Sequence, residues 1–297
     1  MILRNTDKDK RGSFTKKIVD YLTERGGECF VSDDGMEVTE DVDCVVVLGG
    51  DGTLLHTANQ VAGLGLPVLG INIGRIGYMA ELESNEIDIL KNIIDGNFQV
   101  EERMRLDVSV LRGDKVVYRK TALNDAVIMK TGLLWIIDLD IFADEMFISR
   151  YSGDGVLVAT PTGSTAYSLS AGGPIIDPVS KNITITPVCA HALTAKPIVL
   201  CNNRKIKIVS ASPENSAVAI SVDGEDGFEL MHGDEIIIAL HLSYFLRNNI
   251  PPAPAGRLAH IPWHKLPARR DMPEYRKLLP AVQFSDRGSS PDHPDGL

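Results

Sequence analysis

The 297-residue chain lacks several features that mark particular classes of protein. Its net charge of −10 at pH 7 argues against a nucleic-acid-binding protein, which normally carries a basic surface. Its four cysteines show no CxxC spacing, so we predict neither a zinc site nor a disulfide framework. No apolar run approaches the roughly 20 residues that span a membrane, and residues 1–3 are typical of a short strand rather than a signal peptide. We therefore expect a cytoplasmic protein with no nucleic-acid or membrane partner.

Strand and helix patterns alternate in the first third of the chain, which is typical of a mostly parallel sheet. The predicted helices cover residues 14–25, 53–62 and 87–94. From about residue 98, short strand patterns follow one another with little helical signal, and a Gly113-Asp114 turn predicts a hairpin. We expect an α/β domain over 1–97 with a mostly parallel sheet, followed by an all-β, sandwich-like domain over 98–241.

The remaining segment, 242–297, has a different composition. Nine of the 16 prolines lie between residues 251 and 297, and packed helices and sheets tolerate few prolines. We predict a divergent, Pro-rich and largely irregular tail, with a partner-binding tail as the alternative.

A strand-turn-helix pattern carries the first chemical signal. The apolar run 45–48 stops at two glycines, and Asp51 follows at a predicted helix start. Backbone N–H groups at such a start suit phosphate oxygens, and no GxxxxGK[ST] motif is present to hold phosphates otherwise. A carboxylate there would repel phosphate, so Asp51 is better explained as a metal ligand or as a base for a hydroxyl. A purely structural Gly-rich turn is the alternative. The candidate phosphate-binding residues are Gly49, Gly50, Gly52 and Thr53.

Three later segments add polar groups near predicted strand ends. Residues 152–168 contain a turn rich in hydroxyls and small residues, which could also be a well-capped polar loop. Asn124 and Asp125 stand side by side at the start of an apolar strand, where one could reach a ligand, although such a pair is most often a simple turn. Residues 221–225 combine a strand end with acids, which could be an ordinary hairpin.

Taken in order, these motifs resemble the NAD kinase family over roughly residues 1–240. The first motif is shared with diacylglycerol kinases and, more loosely, with 6-phosphofructokinases. The block Thr-Pro-Thr-Gly-Ser-Thr-Ala-Tyr at 160–167 is far more specific. The other motifs that carry the resemblance are GGDGT at 49–53, GIN at 70–72 with Gly74 and GY at 77–78, LND at 123–125, GGPI at 172–175, PVCAH at 187–191 and VDG at 222–224.

The resemblance implies transfer of a phosphoryl group from ATP to the adenosine ribose 2′-hydroxyl of NAD, with inorganic polyphosphate as an alternative donor. Asp51 would be the catalytic proton acceptor, and Asn124 with Asp125 would bind the adenosine part. It also implies a divalent cation such as Mg²⁺, whose ligands are not assigned, and a homodimer or homotetramer. The other implied NAD contacts are Gly52, His56, Tyr78, Ser152, Asp154, Thr165, Ala166, Tyr167, Ser168, Leu169, Ser170, Asp223 and Glu225.

Three departures and two rival functions accompany this resemblance. The family usually closes with a strand pair and a short helix, and the sequence shows no such segment after about residue 242. Glu225 stands where many bacterial members have Gln, and Ser152 stands where relatives often have a basic residue. One rival is an NAD-binding module without turnover, and the other is a lipid or sugar kinase that shares the first motif. The block at 160–167 argues against the second.

Overall fold

A parallel sheet forms the first part of the protein. The computed structural model describes residues 1–33, 42–62, 64–74, 77–132, 135–192, 194–213 and 217–248, the last seven of these as backbone alone. The first sheet has the strand order β2-β1-β3-β4-β5, and all its pairs are parallel. Its strands are β1 (Ile2–Arg4), β2 (Val31–Asp33), β3 (Val45–Gly49), β4 (Val68–Asn72) and β5 (Leu82–Glu83). Its helices are α1 (Ser13–Thr23), α2 (Asp51–Val61) and α3 (Lys91–Ile94), with a 3₁₀ turn at Ile87–Leu90 before α3.

Both faces of this sheet are covered, which explains why β3 is a continuous apolar run. Val46 and Leu48 pack into the cluster that includes Ile18 of α1. Val45 and Val47 point to the opposite face, where Leu54 and Val61 of α2 pack on them. The alternation follows from the two-residue period of a strand.

Two six-stranded antiparallel sheets form the second part. One has the order β10-β9-β14-β17-β6-β7, and the other has the order β13-β12-β11-β8-β15-β16. The strands of the first are β6 (Phe98–Arg112), β7 (Lys115–Ala122), β9 (Ile137–Ala143), β10 (Met146–Gly153), β14 (Ile206–Ser210) and β17 (Glu235–Asn248). The strands of the second are β8 (Asp125–Lys130), β11 (Gly155–Ala159), β12 (Asn182–Val188), β13 (Ile198–Cys201), β15 (Val218–Val222) and β16 (Phe228–Leu230). A 3₁₀ turn (Thr162–Thr165) and α4 (Tyr167–Ser170) follow β11.

The two antiparallel sheets share one apolar core. Leu106 and Val108 of β6 belong to the same buried cluster as Ile128 of β8 and Ile185 of β12. The predicted fold class, an α/β part followed by a sandwich-like all-β part, is therefore confirmed. All described residues belong to one compact unit, and the proposed domain boundary at residue 97 stays a prediction.

Several element boundaries differ from the sequence expectation. Helix α2 begins at Asp51, two residues before the predicted start, so Asp51 is its first residue. Strand β10 was not predicted, because as an edge strand it buries few side chains and shows no clear apolar alternation. Strand β17 pairs with β6 as far as Asn248, seven residues into the segment predicted to be irregular. Residues 249–297 of that predicted tail lie outside the described part of the chain.

None of the helices in the described ranges has the length and apolar character needed to cross a membrane.

Candidate active site

Asp51 lies at the carboxyl end of the parallel sheet, where it is the first residue of α2 after β3. Its Oδ2 accepts a hydrogen bond from the backbone N–H of Tyr78 at 2.8 Å, and its Oδ1 accepts one from Met79 at 3.2 Å. A Cβ added to Gly77 would overlap with Oδ1 of Asp51. The glycine therefore lets the loop 77–79 close on the carboxylate, which holds Asp51 in one orientation.

The turn before Asp51 is tightly packed against the helix that follows. A Cβ on Gly49 would lie 2.6 Å from Cβ of Thr53, so only glycine fits there without displacement. Thr53 is buried, and its Oγ1 accepts a hydrogen bond from Nδ2 of Asn5 at 2.8 Å. This bond connects the segment after β1 to the first turn of α2.

Asp223 holds the loop that carries Asn124 and Asp125. Its Oδ1 accepts hydrogen bonds from the backbone N–H groups of Asn124 at 2.8 Å and Asp125 at 3.1 Å, and its Oδ2 accepts one from Leu123 at 2.8 Å. Asp223 itself has a φ of 52°, a conformation that Asp tolerates better than most residues. Its carboxylate thus positions the predicted adenosine-binding pair, and its own contact with NAD stays a prediction.

Asn59 joins this loop to the helix that begins with Asp51. Nδ2 of Asn59, on α2, donates to Oδ2 of Asp223 at 3.0 Å. Oδ1 of Asn59 accepts a hydrogen bond from the buried guanidinium of Arg105 at 2.7 Å. The helix that begins with Asp51 and the Asn124 loop are therefore connected through two side chains, Asn59 and Asp223, and Arg105 of β6 supports Asn59.

The hydroxyl-rich turn after β11 packs directly on Asn124. The backbone N–H of Thr160 donates to the carbonyl of Asn124 at 2.9 Å, and its hydroxyl donates to the carbonyl of Leu123 at 2.6 Å. A Cβ on Gly163 would overlap with the carbonyl oxygen of Asn124. Thr160 and Gly163 of the Thr-Pro-Thr-Gly block thus allow this close approach of two backbones.

Asn124 and Asp125 have unusual electrostatic surroundings. Oδ1 of Asn124 is buried and has no hydrogen-bond partner among the described residues. Buried polar atoms are normally paired, so this atom is a candidate for a ligand contact. Burial, together with the charge of Asp223, raises the pKa of Asp125 to about 7.

Other predicted NAD contacts already have partners within the protein. Lys130 forms an ion pair with Asp154 at 2.6 Å and lowers the pKa of that carboxyl. The contact of Asp154 with NAD stays a prediction, as do those of the residues that follow. Ser152 hydrogen-bonds Asp138, Glu225 pairs with Lys120, and Ser168 is buried against Thr186 at 3.2 Å. His56 lies on the exposed face of α2 beside Gln60, and Tyr167 is 40% exposed with its hydroxyl 3.6 Å from the sulfur of Met129.

Three residues at this site carried no recognised sequence signal, namely Asn5, Asn59 and Arg105. Asn59 lies two turns after Asp51 on the same helix, and its helical spacing was the one available indication. The described residues include no group of three His, Cys, Asp or Glu side chains that could hold a metal ion.

Comparison with known proteins connects this geometry to a family. The N-terminal domain model of ATP-NAD kinases matches residues 6–98, and the C-terminal domain model matches residues 123–244. The NAD kinase of Carboxydothermus hydrogenoformans is 47% identical over 203 residues, which cover 68% of this chain and 72% of that protein. The NAD kinase of Ruminiclostridium cellulolyticum is 38% identical over 250 residues, which cover 80% of this chain and 87% of the relative.

Solved structures show the same architecture. An NAD kinase from Archaeoglobus fulgidus in complex with ATP aligns with a TM-score of 0.70 at 26% identity, over 84% of this chain and 93% of that one. Yeast NADH kinase complexed with NADH aligns with a TM-score of 0.68 at 26% identity, over 83% and 82% of the two chains.

Proposed function

The chain belongs to the NAD kinase family, and we propose that Asp51 is the base in this family's reaction. The enzyme transfers a phosphoryl group from ATP to the adenosine ribose 2′-hydroxyl of NAD, which gives NADP and ADP. A new bond forms between the 2′-oxygen and the γ-phosphorus while the bond to the bridging oxygen breaks. The hydroxyl proton then passes to the carboxylate of Asp51.

The fixed orientation of the Asp51 carboxylate carries this proposal. The backbone N–H groups of Tyr78 and Met79 each hold one of its oxygens, and each oxygen keeps a further lone pair for a substrate proton. The position of Asp51 at the carboxyl end of β3 is where open α/β sheets bind ligands.

We propose that Asn124 and Asp125 bind the adenosine part of NAD. The unpartnered, buried Oδ1 of Asn124 could accept a hydrogen bond from the base or the sugar. We propose further that backbone N–H groups around Gly50 and Gly52 bind the phosphates of the donor, since α2 begins there.

We propose Mg²⁺ as the divalent cation. This ion usually keeps several waters and binds one or two carboxylates together with substrate phosphates. Asp51 is a carboxylate at the phosphate turn, so the donor set fits this mode, and the ion would spread the charge of the transferred group.

We also propose a cytoplasmic, homo-oligomeric enzyme. All four cysteines are free thiols, which suits a reducing compartment. The edge strand β10 exposes Met146 by 70% and Phe147 by 57%, and edge strands with apolar side chains favour pairing between chains. Size-exclusion chromatography with light scattering would give the stoichiometry, and a monomer at micromolar concentration would contradict the proposal.

The proposed base is tested with purified protein, NAD, ATP and Mg²⁺, with NADP measured by a coupled dehydrogenase. We expect Asp51→Asn to lower kcat by roughly 10² to 10⁴-fold, the usual contribution of a general base. Asp114→Asn, in the exposed hairpin turn between β6 and β7, is the matched control and should retain full activity. An Asp51→Asn enzyme with wild-type kcat would refute the role. A wild-type protein that binds NAD without turnover would favour the rival function, an NAD-binding module. Parallel assays with ATP and with inorganic polyphosphate identify the phosphoryl donor.

A further inference from the structure

Lys8 lies over the phosphate turn without being part of any predicted motif. Its stem runs beside Gly74, where an added Cβ would be 3.5 Å from Cδ, 3.3 Å from Cε and 3.0 Å from Nζ. Its ammonium group ends over Gly50, where a Cβ would overlap with Nζ. The positive charge therefore sits between the carboxyl ends of the neighbouring strands β3 and β4, next to the residue that precedes Asp51.

The segment that carries Lys8 is held in place on both sides. The backbone N–H of Lys8 donates to Oδ1 of Asn5 at 3.1 Å, while Nδ2 of the same Asn5 donates to Thr53 at 2.8 Å. The backbone N–H of Asn5 also donates to the carbonyl of Leu48 at 3.0 Å. After Lys8, the buried carboxylate of Asp9 accepts hydrogen bonds from the backbone and hydroxyl of Thr15 at 2.8 Å and 2.7 Å.

The charge of Lys8 is not neutralised by an ion pair in the part of the chain that the structure describes. Lys8 is an exposed residue, and its ammonium lies beside two glycines whose missing side chains make room for it. In an enzyme with a net charge of −10, Lys8 therefore brings a positive charge to the proposed phosphate site.

We propose that Lys8 binds the polyphosphate of the donor nucleotide and stabilises the charge of the transferred phosphoryl group. This inference rests on the proposed phosphate site around Gly50 and Gly52. Lysine acts in such sites as a point charge, the role that the GxxxxGK[ST] lysine has in other nucleotide-binding folds. This chain lacks that motif, and Lys8 supplies the charge from the turn that follows β1, the strand on the other side of β3.

The test compares Lys8→Met, which keeps the apolar stem, with Lys10→Met, an exposed lysine of the same segment. We expect Lys8→Met to lower kcat/KM for ATP by about 100-fold, the scale of removing one charge-stabilising donor. The dissociation constant for NAD should change less than twofold. Calorimetry with inorganic tripolyphosphate, a probe that needs no turnover, should show weaker binding to Lys8→Met and unchanged binding to Lys10→Met.

Several results would overturn the assignment while leaving the proposed function intact. One is a folded Lys8→Met enzyme whose kcat/KM for ATP equals that of Lys10→Met. Another is a loss of NAD affinity as large as the loss of ATP affinity. If Lys8→Met does not fold, Lys8→Gln replaces it, and a folded variant with normal tripolyphosphate binding refutes the inference. A folded wild-type protein that makes no NADP would contradict the proposed function instead.

Discussion

Replacing Asp223 by alanine should cost the protein about 3–5 kcal/mol of unfolding free energy, the range measured when one member of a buried charged network is removed. Its carboxylate accepts four hydrogen bonds, from the backbone N–H groups of Leu123, Asn124 and Asp125 and from the side chain of Asn59. A hydrogen bond to a charged group contributes about 1.5–3 kcal/mol, so a simple sum would reach about 6–12 kcal/mol.

Two effects reduce this sum. Asp223 is only half-buried, so water can reach some of the abandoned N–H groups. Its removal also relieves the repulsion that helps to raise the pKa of Asp125. Coupled contributions of this kind are not additive. The expected loss of unfolding free energy is therefore about 3–5 kcal/mol rather than about 6–12 kcal/mol.

Urea unfolding followed by circular dichroism measures the effect. Asp223→Asn keeps one acceptor oxygen and tolerates the φ of 52°, so it should lose clearly less stability than Asp223→Ala. Asp226→Ala, an exposed acid three residues further along, is the matched control and should stay within about 0.5 kcal/mol of wild type. An Asp223→Ala protein within about 1 kcal/mol of wild type would refute the view that this carboxylate holds the Asn124 loop. Asp223→Ala should also raise the KM for NAD more than the KM for ATP.

Three further outcomes are expected. Gly77→Ala should lower kcat strongly at nearly unchanged KM for ATP, because the new Cβ would overlap with Oδ1 of Asp51. Gly227→Ala is the control and should behave as wild type, since its added Cβ would have its nearest neighbour at 3.7 Å. Equal kinetics of the two variants would contradict the contact between Gly77 and Asp51. The raised pKa of Asp125, about 7 in place of the usual 3.8, means that the folded state binds a proton that the unfolded chain releases. Stability should therefore fall as the pH rises from about 4 to about 7. Asp125→Asn should reduce this dependence of stability on pH, as measured by thermal unfolding. An unchanged dependence would show that a group other than Asp125 causes it. Chelation of divalent cations with EDTA should stop NADP formation and added Mg²⁺ should restore it, whereas turnover in EDTA would exclude the proposed cation.

Local pattern was sufficient for the strand-turn-helix unit that presents Asp51. The apolar run 45–48 predicts a strand buried on both faces, and the glycines after it predict the turn, because both signals depend on neighbouring residues. The helix boundary was less well predicted, since Asp51 and Gly52 have low helix propensity and their place in α2 depends on packing. Edge strand β10 was missed for a related reason, because it buries little and so shows little periodicity.

The sequence alone determined the fold class, the family and the identity of Asp51, Asn124 and Asp125 as the candidate chemistry. Only the tertiary structure decided how these groups are held. Asp223 lies 98 residues beyond Asp125, and Lys8 reaches Gly50 from the turn after β1. Contacts between residues so far apart depend on sheet order and loop closure, and no local periodicity records them. That is why the supporting residues Asn5, Lys8, Asn59 and Arg105 became visible only once β1, β3, β4 and the two antiparallel sheets were packed together.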